Sequence, residues 1–170
     1  MSDSRDGDVR LAGGSAPDPE MALPLLVAGW VAAAAGVEVA IRGELVDPAA
    51  SPAECAALGA ALADEFAASP DPVGLLVVGD GAATHTEKAP RHLDERAGPF
   101  DRAVAAALAT ADRAALAALD PGLAAELAVA GRAPWQVLAA AARGDWAADL
   151  VYSDAPYGVA YHVAVWDRRS

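Results

Sequence analysis

The chain has 170 residues, 55% of them hydrophobic and only 5% aromatic, which is enough apolar content for one well-filled domain and too much for a disordered chain. Twelve basic against twenty-four acidic residues give a formal net charge of −12, so the electrostatic footprint of a phosphate-backbone binder is missing and nucleic acid is not expected as a partner. Alanine makes up roughly a quarter of the sequence and Lys88 is the one lysine, a compositional bias that carries no function of its own.

Residues 1–20 are rich in Ser, Asp, Gly and Pro and read as a flexible N-terminal arm, with an α/β domain expected over 21–168. The longest uncharged run, Met21 to Val37, is preceded mainly by acids and is interrupted by Pro24, Gly29 and Gly36. Those flanks suit neither a signal peptide nor a membrane span, so the run predicts a buried helix, followed by a half-buried strand over Val37–Ile41. Ser51-Pro52-Ala53-Glu54 has the form of a capping box with proline at the first helical position, and Cys55, Leu58, Leu62 and Phe66 continue it at helical spacing. Val73 to Val78 is a short apolar run between turn residues, which predicts a strand buried on both faces and central in a sheet.

A polar segment from Asp80 to about Gly98 follows. Pro99-Phe100-Asp101 then opens an alanine-rich helix, a short helical piece begins at Ala111-Asp112, Asp120-Pro121 caps another helix with Gly131 as its stop, and one more follows Pro134. The C-terminal part reads as a strand at Leu150-Val151-Tyr152, a turn at Ser153–Pro156 and an alternating strand from Val159 to Trp166. The fold expected is a single α/β domain with a mixed, mostly buried sheet flanked by helices. Trp30, Trp135 and Trp166 are expected to anchor its core.

Cys55 is the one cysteine, so no intrachain disulfide or clustered-thiolate zinc site can form, and a reducing, cytoplasmic setting is expected. It lies on an apolar helix face, as an inert core thiol would. With no Gly-x-Ser-x-Gly element, a nucleophilic serine is not expected either, and no Gly-rich phosphate loop is present. Chemistry concentrates instead just past the Val73–Val78 strand, where open α/β sheets gather ligands. There Gly79 and Gly81 would let backbone approach a ligand, Asp80 could orient a ring nitrogen or bind a cation, and the imidazole of His85 is suited to proton transfer near neutrality. A plain turn with a solvated histidine is an equal reading of the same residues. His162, in the last strand, reads as a packed strand residue, and spacing nominates no metal ligands.

The stretches Leu75–Gly81, Glu87–Pro90, Leu93–Ala97, Pro99–Asp101 and Asp154–Tyr161 together resemble the catalytic chain of the class III extradiol ring-cleavage dioxygenase superfamily, in an alanine-rich actinobacterial branch. The resemblance runs from about Met21 to Trp166. It implies a non-haem Fe(II) oxidoreductase that opens a catechol-type ring with O2, with His85 and Asp80 catalytic and Gly79, Gly81 and Tyr157 binding a small aromatic substrate. No histidine precedes His85, so the superfamily's early iron-ligating pair has no counterpart and the metal ligands stay unassigned; the N-terminal part of the pattern is expected to be absent. The alternatives are a degenerate homologue that serves as a binding or homo-oligomeric assembly module, and metal-free acid–base chemistry at Asp80 and His85.

Overall fold

A computed structural model describes residues 22–36 and 41–169, so the expected arm and most of the Val37–Ile41 strand lie outside the described residues. The chain divides into two units, Met1–Leu45 and Val46–Ser170. The described part of the first is built on helix α1 (Leu23–Ala34), which has Pro24 in its first turn and ends before Gly36 in the left-handed region at φ 64°. The expected helix forms but is not buried: none of its residues is, and Trp30 is 71% exposed rather than a core anchor. The helix is apolar around its whole circumference, so any face it leaves uncovered exposes apolar side chains.

The second unit follows the sequence closely in its helices. Helix α2 (Pro52–Ala68) starts at the capping box: Ser51 Oγ accepts from Glu54 N at 3.3 Å while the Glu54 carboxylate accepts from Ser51 N at 2.8 Å. Two orphan amides of the first turn are thereby satisfied. Helix α3 (Ala97–Thr110) begins two residues before the predicted Pro99, because Asp94 closes its entry, accepting from Arg96 N and, through its carbonyl, from Ala97 N. Helices α4 (Arg113–Ala117) and α5 (Pro121–Glu126) are capped by Asp112 and Asp120, and α6 (Arg132–Ala141) completes the set. The stop after α5 comes earlier than Gly131, through Ala128 in the left-handed region.

Strands β1 (Trp146–Asp154) and β2 (Tyr161–Arg168) form an antiparallel hairpin, with Leu150 opposite Ala164, Ser153 opposite His162 and a bulge between Leu150 and Tyr152. Helices with a small antiparallel sheet are therefore the architecture among the described residues. Alternation along β2 turns His162, Ala164 and Trp166 inward, where Trp166 Nε1 donates to Leu108 O of α3 at 2.8 Å, and leaves Tyr161, Val163 and Val165 on the outer face.

The burial on both faces predicted for Val73–Val78 is corrected by the structure: Val73, Leu75 and Leu76 are exposed, and among the described residues this stretch belongs to no ladder. An apolar run becomes a sheet strand only where neighbouring backbones accept its hydrogen bonds, and among the described residues none lies alongside. Pairing starts further on, where Gly81 N donates to Ala160 O at 2.8 Å, Ala160 N to Ala82 O at 2.9 Å and His85 N to Gly158 O at 3.2 Å. The polar segment is thereby stitched to the chain entering β2.

The core has two parts. One gathers Phe100, Val104 and Leu108 of α3 with Leu116, Leu127 and Trp135; the other packs Cys55 and Leu62 of α2 on Ala133, Val137 and Ala141 of α6. Burial raises the Cys55 thiol pKa, as an inert core cysteine requires. Buried Arg132 joins the pieces by donating to the carbonyls of Ala50 (2.5 Å) and Pro48 and to Gln136 Oε1 (3.0 Å), while Gln136 Nε2 donates to Ala117 O and Leu119 O. Among the described residues no helix is long and apolar enough to cross a membrane.

Candidate functional site

Asp101 stands on the buried face of α3, between Ala97 and Val104, a position that helical periodicity reserves for an apolar side chain. It is 4% exposed, and its carboxylate is hydrogen-bonded to one amide and two imidazoles. Its two oxygens share the amide of Ala82 at 3.2 Å; Oδ2 lies 2.5 Å from His85 Nε2 and Oδ1 lies 3.4 Å from His162 Nε2. One carboxylate therefore bridges two imidazoles, one from the polar segment and one from β2.

Burial by itself pushes the Asp101 carboxyl up, but the hydrogen bonds from His162, His85 and Ala82 outweigh it and hold the pKa below the usual aspartate value. An ionised Asp101 only accepts, so the Nε2 atoms that face it carry the protons. In neutral His162 this leaves Nδ1 as an acceptor, and Ser153 Oγ lies 2.9 Å away, across the strand pair. Trp135 closes the ring in at a centroid distance of 6.1 Å. The four groups open onto one cavity of about 250 Å³, which Gly98, Arg102, Asp154, Ala155 and Ala160 also line.

Of the predicted site residues, His85 stands at this cavity. Asp80 does not; it is exposed, its carboxyl pKa is raised by partial burial, and its backbone carbonyl accepts from Gly131 N at 2.7 Å. Gly79 lies against Gly131, and Gly81 is where the main chain passes under Asp101: a Cβ there would come 2.6 Å from Oδ1. The close approach that glycine allows here serves the carboxylate. Tyr157 is 80% exposed and borders a separate depression with Thr86, Lys88 and Gly158. Next to His85, the buried hydroxyl of Thr84 has no hydrogen-bond partner among the described residues.

Asp101, His162 and Ser153 are the members that sequence reasoning did not assign to a site. The available signal was a lone acid on an apolar helix stripe, together with a histidine at an inward-facing strand position. The sequence matches no protein-family model and no curated protein.

Chemically, the arrangement is an acid–base device. An ionised Asp101 fixes the ring orientation and tautomer of His85, an arrangement that suits an imidazole to proton exchange at the cavity. Fe(II), which the resemblance implies, would have to draw on His85, Asp101 and His162. Both Nε2 atoms are directed at Asp101 and the second nitrogen of His162 at Ser153, so this donor set is consumed internally and, as arranged, does not fit the ion.

Proposed function

We propose that the chain is a class III extradiol dioxygenase-like protein whose working site binds a small phenolic or catechol-type molecule, with His85 as its acid–base group. The observation that carries the reading is the 2.5 Å contact between His85 and the buried Asp101 at the wall of a cavity of small-molecule size. A phenol entering the cavity offers a proton to an imidazole already held in one orientation, and the resulting phenolate faces the imidazolium and Arg102.

Anaerobic calorimetry with catechol, run with and without Fe(II), tests this. Saturable catechol binding by the native chain, weakened about tenfold or more in His85→Ala, is the expected result, a loss of about 1.4 kcal/mol. Absence of catechol binding under both conditions overturns the reading.

A second reading, a homo-oligomeric assembly module, is favoured by the apolar outer face of β2. Tyr161, Val163 and Val165 are exposed there, and Leu75 and Leu76 are exposed elsewhere on the same unit. A second copy covering the β2 face would take these side chains out of water. Cytoplasmic residence is the setting in which a lone buried thiol needs no partner.

A further inference from the structure

Asp101, His162 and Ser153 form a line in which each member holds the next. Asp101 Oδ1 accepts from His162 Nε2, and His162 Nδ1 accepts from the hydroxyl of Ser153. The two supporting groups are almost wholly buried, with 6% and 3% of their side chains exposed, whereas Ser153 is exposed and lines the cavity. An exposed serine needs no buried carboxylate to satisfy its hydroxyl, because water would do so. The buried pair instead fixes His162 as the tautomer whose free lone pair points at Ser153 Oγ.

We propose that Ser153 is a nucleophile for small carboxylic esters, with His162 as its general base and Asp101 as the group that positions the imidazole and balances its charge. The roles are those of an acyl-transfer triad with the two ring nitrogens exchanged; an imidazole accepts at one nitrogen and is supported at the other in either sense. Ser153 Oγ attacks the ester carbonyl carbon, its proton passes to His162 Nδ1, and the carbonyl π pair moves to oxygen. Collapse breaks the bond to the alcohol oxygen, which leaves with the proton from Nδ1. Water then attacks the acyl-serine by the same route and releases the acid. Arg102, on the wall of the same cavity, is the cation available to the oxyanion.

The strand register creates this site. Ser153 and His162 are directly opposed in the hairpin, so their side chains share a face without any sequence motif that joins them. The proposal is independent of the phenol-binding reading, since acylation of Ser153 needs neither catechol nor Fe(II).

The test is competitive labelling of the native chain with a fluorophosphonate, mapped by mass spectrometry, with the exposed serine Ser51 and the partly exposed Ser69 as internal references. Labelling of Ser153 at least about 100-fold faster than either is expected, the range a positioned general base supplies. Equal labelling of the three serines overturns the proposal, and this comparison depends on no variant folding. Turnover of p-nitrophenyl acetate is expected to fall to the background rate in Ser153→Ala, which removes one exposed oxygen. Turnover unchanged in that variant overturns the proposal as well.

Discussion

At the scale of single residues, Asp101 explains why a histidine-containing loop is held in one place. A carboxylate on the buried face of α3 costs free energy unless it is satisfied, and here it is satisfied by one amide and two imidazoles. Because the folded pKa lies below the ordinary aspartate value, the unfolded chain binds the proton more readily in acid. The stabilisation is thus fully present above the ordinary aspartate range and is lost as pH falls through it towards the lower folded pKa. In Asp101→Asn, stability near neutrality is expected to drop by about 1–3 kcal/mol, the worth of hydrogen bonds to a charged group, and the acid limb of the profile to flatten. Urea denaturation at several pH values checks both. His85 was legible as a candidate because it sits in a polar, glycine-flanked segment. Asp101 and His162 were not, since each occupies a position that local periodicity gives to packing, and only the tertiary contact shows what they share.

At the scale of elements, the helices of the second unit were legible because their signals are local: Ser51, Asp112 and Asp120 each cap an amide three residues on. The second strand was legible from alternation, but β1 runs Trp146–Asp154, well beyond Leu150–Tyr152, and takes in Ser153 and Asp154, which read as a turn; its bulge left no mark in the pattern. Val73–Val78 misled for the converse reason, as an apolar run announces burial without naming the neighbour that would supply it. The connection between the strands is set by Gly158, which has φ +79°. A Cβ there would lie 2.6 Å from Ala89 Cβ and 2.9 Å from Ala89 Cα. Gly158→Ala combines backbone strain with a clash against main chain, and since Gly158 O accepts from His85 N, the loop that carries His85 must shift. The expected result is a loss of about 1–3 kcal/mol in thermal or urea unfolding, accompanied by displaced His85 ring resonances in NMR spectra. Unchanged resonances would show that the loop holds His85 without this contact.

At the scale of the whole molecule, charge and apolar surface pull in opposite directions. A chain of net charge −12 repels its own copies, yet the outer face of β2 offers three large uncharged side chains in alternation. A self-complementary contact across a two-fold axis is where such copies can meet with least repulsion. Light scattering after size exclusion is expected to give a dimer for the native chain and a monomer for Val163→Glu, with far-UV circular dichroism unchanged. A native monomer at high concentration removes the assembly reading.

The four groups around the cavity come from distant parts of the chain. His85 and Asp101 are 16 positions apart and Asp101 and His162 are 61 apart, and the polar segment, α3 and both strands each contribute. Contacts of such sequence separation form only after the intervening chain has been closed into loops, so no partly folded fragment can present the site. Site chemistry therefore rises and falls with the cooperative folding of the second unit. Accessibility of Ser153 to a labelling reagent would serve as a clock for the last step of folding.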